Sequence, residues 1–191
     1  MDYHFFAYIS RMKHIIRWGL MRSSERENLM EHSHMTAVLA HCLAVIRRDI
    51  FGGDINPDRC ATAALFHDAS EILTGDLPTP IKYFNPDIKN SYKEVERLSK
   101  NKLLTMLPEE FLPEYSPLIH GLFDEDTLAI LKAADKLSAY IKCAEELRGG
   151  NTEFKKAAAQ TLEQLNAMNL REVEYFTEHF LKSFSLTIDE L

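Results

Sequence analysis

The chain has 191 residues, 46% of them hydrophobic and 27% charged, and a formal net charge of −7. That is one domain's length with the balance of an ordinary globular protein, enough for one substantial core. The negative charge argues against a protein that wraps a nucleic-acid polymer, which needs a basic surface; a small phosphate ligand, held by one or two Arg or Lys side chains, stays open.

The N-terminal "MDYHFFAYISRMKHIIRWGLM" has no basic start leading into a continuous apolar stretch, so it does not read as a signal peptide. No run approaches the roughly 18 apolar residues of a membrane span. Three widely spaced cysteines, Cys42, Cys60 and Cys143, predict buried free thiols in a reducing compartment rather than a disulfide frame. A cytoplasmic protein that engages no membrane is expected.

Helix signals dominate. Residues 3 to 14 carry Phe5, Phe6, Ile9 and Met12 as a helical stripe, and "RWGLMRSSEREN" comes next as a loop. A long helix starts at Asn28, with Glu31 at capping-box spacing, and ends at "FGG" near residue 51. Asn56 and Pro57 open the next, which runs through "ALFHD". "GDLPTP" is expected to be a loop. Asn85 and Pro86 start a helix to about Leu107, and Pro108, Pro113 and Pro117 are expected to break up the stretch beyond it. Asp124 caps a helix to Arg148 that "GG" stops; Asn151 caps another to about Ala167; residues 170 to 182 form the last. With no repeat, low-complexity tract or linker, residues 1–191 read as a single all-α domain, a helical bundle.

Four polar residues stand where this pattern calls for apolar ones. His32 lies in the first turn of its helix. His67 and Asp68 close an apolar one. Asp135 sits in "LAILKAADKLSAYIKCAEEL", where Leu128, Leu131, Ala134, Leu137, Ser138 and Ile141 mark the expected buried face. Singly, each has a plain explanation: a core histidine with a hydrogen bond, or an Asp paired with Lys132 or Lys136. The adjacent His67 and Asp68 are harder to place, because an unpaired buried carboxylate costs several kcal/mol, about 2–7 even for a neutral polar group. Two imidazoles and two carboxylates from three helices are a plausible set for one divalent transition metal. At roughly 100° per residue, His34 and His41 face away from His32 and are expected not to ligate. The aromatic runs "HFFAY" and "YFTEHF" read as core or subunit contact.

"EHS" at 31–33, "HDASE" at 67–71 and the later lone Asp resemble the signature of HD-domain metal-dependent phosphohydrolases. "HFFAYISRMKHIIRWGLMR", "ENLMEHS", "LFHDASEILTGDLPTPIKYFNP" and "KAADKLSAYIKCAEEL" resemble, more narrowly, the bacterial YfbR-type 5'-deoxynucleotidases over nearly the whole chain. The resemblance implies an HD-domain bundle and hydrolysis of deoxyribonucleoside 5'-monophosphates to deoxynucleoside and phosphate. It also implies one divalent ion per subunit (Co, Mn, Zn or similar) held by His32, His67, Asp68 and Asp135, and a homodimer. Glu71, one helical turn beyond His67 if the helix continues, is then the catalytic carboxylate that orients water or protonates the leaving 5'-oxygen; the plainer alternatives are a solvated Glu or a partner of a ligating His. Arg17 would clamp phosphate and Trp18 would wall the sugar or base, against the alternative of a core-anchoring Trp beside a solvated Arg. Asp76, Leu77, Pro78 and Thr79 of the stiff loop would line the nucleotide site, and His32, Asp68 and Asp135 would face it as well. Two other readings stay open: a different HD reaction, such as a phosphodiesterase or nucleoside triphosphohydrolase, and a metal- or nucleotide-binding protein without catalysis.

Overall fold

The computed structural model describes residues 2–82 and 84–191; the side chain of Thr79 also lies outside the described set. Ten α-helices carry the described residues: α1 Phe5–Ile9, α2 Leu29–Val45, α3 Pro57–Phe66, α4 Glu71–Thr74, α5 Thr79–Lys82, α6 Pro86–Leu104, α7 Leu112–His120, α8 Glu125–Arg148, α9 Lys155–Asn166 and α10 Arg171–His179. Among these residues there is no strand, only one isolated antiparallel bridge between Ile16 and Asn28. The all-α class expected from the sequence is therefore the class observed.

Four of the five local start signals act as expected, while Asn151 caps the 3-10 turn Thr152–Phe154 that leads into α9, which has no side-chain cap of its own. Asn28 accepts from the amides of Met30 and Glu31 while Glu31 reaches back to the Asn28 amide, a complete capping box for α2. Asn56, Asn85 and Asp124 cap α3, α6 and α8 through their own side chains.

The bundle is built around α2, which packs on α3 and α8, and α8 in turn carries α9. Small residues permit the close approach: Ala37, Ala40 and Ala44 of α2 meet Cys60 and Ala64 of α3 and Ala133 and Ala134 of α8 in one apolar core. A second core joins Phe5, Leu103, Met106, Leu107 and Ile119 with Ala69. α2 passes into a π-helical turn, Ile46–Ile50. There Arg47 binds Asp126 of α8 at 2.6 Å and Glu172 of α10, tying three helices at one end.

Four expectations are corrected. The helix carrying "ALFHD" stops at Phe66, and residues 67–70 form tight turns before α4. His67 is the cause: its Nδ1 takes the Ala64 carbonyl at 2.7 Å, the acceptor that the Asp68 amide would use in a continuing helix. "GDLPTP" is a loop only through Pro78, because Thr79 and Pro80 begin α5. The proline-rich stretch after residue 108 is not broken throughout: α7 holds Pro113 in its first turn and tolerates Pro117, with Tyr115 and Ile119 packed on the second core. On α8, Ile130 and Ala133 are fully buried, whereas Leu128 and Leu131 are half-buried. The three cysteines are free thiols, with Cys60 and Cys143 buried and Cys42 half-buried.

Candidate active site

The start of α2, the 67–70 turn and the middle of α8 meet at the four polar residues. His32 is fully buried; its Nδ1 lies 3.2 Å from Ser138 Oγ on α8. Its Nε2 stands 3.0 Å from Asp135 Oδ1 and 3.8 Å from Asp68 Oδ2. His67 donates from Nδ1 to the Ala64 carbonyl, since a carbonyl only accepts. That fixes Nε2 toward the cluster, 3.0 Å from Asp68 Oδ2 and 3.9 Å from Asp135 Oδ1, buried and without a well-aligned hydrogen-bond partner among the described residues. Ligand atoms of His32, His67 and Asp135 all lie within 4.8 Å of one another, a grouping that could hold a metal ion. Asp68 borders it through the two distances to the histidines.

The electrostatics fit a cation. Burial alone would lower the His67 imidazole, but Asp68 and Asp135 outweigh it and lift it to about 9. Burial would likewise raise the Asp68 carboxyl, yet His67, His32 and Arg17 hold it well below the usual carboxylate range. Asp135 follows the same pattern, lowered against its burial by His32 and His67. The two carboxylates are thus held ionised and draw positive charge onto His67, a charge that a divalent ion could supply instead.

Glu71 begins α4, its amide donating to the Asp68 carbonyl at 2.9 Å. Its side chain is buried, and Oε2 has no hydrogen-bond partner among the described residues. Burial, then Asp68 and Asp76, push its carboxyl up to about 8. The turn, not a continuous helix, brings it here.

Arg17 and Trp18 lie on the loop preceding α2. Arg17 Nη1 is 3.6 Å from Asp68 Oδ2, and its Nε and the Trp18 indole nitrogen both reach Glu27 Oε2, at 3.1 and 2.8 Å. Arg17, Trp18, Asp76, Pro78 and Asp135 line one cavity of about 680 Å³ together with Lys136, Gln160 and Gln164, while His32, His67, Asp68 and Glu71 lie behind that lining. Trp18 lines this cavity and packs edge-on against Phe154, while Arg17 beside it is largely shielded rather than solvated. Leu77 is half-buried and is not among the lining residues. Thr79, expected at the site, has its side chain outside the described residues. His34 and His41 are exposed, as expected of non-ligands. Lys136 pairs with Gln164 at 2.7 Å rather than with Asp135.

Glu27, Ser138 and the α9 glutamines are the participants that sequence reading missed. Nothing local distinguishes them: Glu27 sits in the polar string "SSEREN", and its partners are set by the loop's path.

The family described as 5'-deoxynucleotidase YfbR-like matches residues 4–184. A 5'-deoxynucleotidase of Photobacterium profundum is 49% identical over 189 residues, covering 98% of this chain and 97% of that one. Among solved structures, an HD-domain phosphohydrolase from Listeria innocua superimposes with a TM-score of 0.81 at 25% identity, over 95% of this chain and 88% of that one. The cyanophage S-2L HD phosphohydrolase DatZ, solved with dA and one catalytic Zn²⁺, shares the fold with a TM-score of 0.68 at 18% identity, over 93% of this chain and 96% of that one. The resemblance read in the motifs is borne out, and the chain belongs to the 5'-deoxynucleotidase YfbR-like family.

Proposed function

We propose that the cavity beside His32, His67 and Asp135 is where a deoxyribonucleoside 5'-monophosphate is hydrolysed to deoxynucleoside and phosphate. The observation that carries this reading is that Arg17 and Asp135 line one cavity large enough for a nucleotide, and that Asp135 groups with His32 and His67 as an ion-ready cluster. It accords with the family and with the activity named for the relative from Photobacterium.

His32, His67, Asp68 and Asp135 would hold one divalent ion; Co, Mn and Zn all suit two imidazoles and two carboxylates. The chemistry such an ion supplies is polarisation of a phosphoryl oxygen and a lowered pKa for water. Arg17 binds the phosphate through its Nη atoms, its Nε being taken by Glu27. Glu71, whose carboxyl is pushed up by burial, Asp68 and Asp76, can orient water or, when protonated, deliver its proton to the 5'-oxygen as the P–O bond breaks. Trp18 flanks the nucleoside. Asp76 and Pro78 border the sugar, with Leu77 and Thr79 completing the segment, and a close wall beside C2' would exclude a hydroxyl. A homodimer and a cytoplasmic setting are part of the same proposal; no described helix is long and apolar enough to cross a membrane.

The test is phosphate release from a panel of deoxyribonucleoside and ribonucleoside monophosphates, deoxynucleoside triphosphates and cyclic nucleotides, each with Mn²⁺, Co²⁺ or Zn²⁺. Release from the deoxy monophosphates is expected; none from any of them would sink the reading.

A further inference from the structure

Trp18 has φ +61°, a left-handed backbone that a bulky side chain rarely adopts and that surrounding contacts must impose. Those contacts converge on Glu27. One carboxylate oxygen, Oε2, accepts from the Trp18 indole at 2.8 Å and from Arg17 Nε at 3.1 Å. The Glu27 carbonyl accepts from the Arg17 amide at 3.0 Å, and the bridge from Ile16 to Asn28 sits beside it, with the Leu29 amide bonded to the Ile15 carbonyl. Arg17 and Glu27 are both largely shielded, their side chains 13% and 12% exposed. An acid next to a phosphate-binding arginine works against anion binding unless it serves another end.

We propose that Glu27 is a positioning residue that locks Arg17 and Trp18 into one preformed clamp, the arginine for the 5'-phosphate and the indole for the nucleoside. The proposal rests on the hydrolase reading above. With Nε held by Glu27, the guanidinium keeps its Nη edge for the phosphate, and Nη1 is already near Asp68. The same oxygen fixes the indole, so neither side chain has to be ordered when substrate arrives. A clamp made before binding holds ground state and transition state alike, so its loss falls on KM more than on kcat.

The experiment compares Glu27→Ala and Glu27→Gln with the parent, in steady-state hydrolysis of a deoxyribonucleoside monophosphate and in tryptophan emission. Trp18 is the chain's one tryptophan, so emission reports the clamp directly and without substrate. In Glu27→Ala, emission should move to longer wavelength and KM should rise about tenfold, with kcat within about threefold. The Gln carbonyl oxygen can accept both bonds, so Glu27→Gln should restore the parent emission and bring KM within about threefold. Adding Glu27→Ala to Arg17→Ala should cost little more than Arg17→Ala alone. Unmoved emission with unmoved KM in Glu27→Ala, or fully additive losses in the double variant, would overturn the proposal. Should Glu27→Ala not fold, Glu27→Met keeps the volume without the acceptor and carries the same expectations. A parent that turns over no substrate counts against the hydrolase reading, while the emission result still decides whether Glu27 fixes Trp18.

Discussion

A carboxyl group buried beside two others resists ionisation, and Glu71 is that group here. Its folded pKa, about 8, lies above the 4.5 of an unfolded chain. Below pH 4.5 both states are protonated and nothing is lost. Between 4.5 and 8 the unfolded state gives up its proton more readily, so stability falls as pH rises, and above 8 the loss is complete. Glu71→Gln should therefore unfold at a higher temperature than the parent at pH 8 in a chelator, with the difference gone at pH 4; equal melting at pH 8 would deny the burial cost. The same variant should lose about 10²–10⁴-fold in turnover while still binding metal and nucleotide, by calorimetry. His67 and Asp68 were legible because polar neighbours in an apolar run are costly. The route to Glu71 was not, since the helix stop comes from an imidazole capturing a carbonyl, and no glycine or proline announces it.

The loop that carries Arg17 and Trp18 is fastened further along by another helix. Glu146 of α8 is buried and accepts from the Ser24 amide at 2.8 Å, from Asn151 at 2.8 Å and from Lys142 at 2.6 Å. Lys142 also donates to the Glu25 carbonyl at 2.7 Å. Burial works to raise the Glu146 carboxyl, but these donors hold it well below the usual carboxylate range. The unfolded state then binds the proton first: this stability is present above the ordinary value of 4.5 and is lost as pH falls toward the folded pKa. Denaturant midpoints should fall more steeply between about pH 5 and pH 3 for the parent than for Glu146→Gln. Glu146→Ala leaves the buried Lys142 ammonium with the Glu25 carbonyl but without its carboxylate, and should cost about 3–5 kcal/mol in urea unfolding. Helix starts were legible because a cap is settled within four residues. Glu146 was not, because its loop partners lie more than a hundred positions away and "AEEL" looks like a solvated face. α7 shows the same limit in reverse: prolines predict a break, and packing of Tyr115 against Phe5 and Phe66 overrides them.

For the molecule as a whole, an ion held by His32, His67 and Asp135 would join α2, the turn after α3 and α8. An ion that binds only the folded state adds about 2.7 kcal/mol at a hundredfold excess over its Kd. Adding Mn²⁺, Co²⁺ or Zn²⁺ to the chelated protein should therefore raise its melting temperature. His32→Ala should abolish that rise; a rise that survives would place the ion elsewhere. All-helical architecture was legible from capping and periodicity alone, while the cavity was not, since α9 reaches it only through the packing of α8.

His32 and Asp135 are 103 positions apart along the chain yet 3.0 Å apart in the fold. During synthesis at about 5–20 residues per second, the ribosome takes about 5 to 20 seconds to pass from the first to the second. For the later part of that interval, once Asp68 has been made, the nascent chain would offer two histidines and Asp68 without the acid that completes the proposed set, so an ion met early would be held only loosely and exchanged. If the finished protein holds a metal there, its identity would be settled after translation has passed α8, by the supply around the closed bundle and not by the ion encountered first.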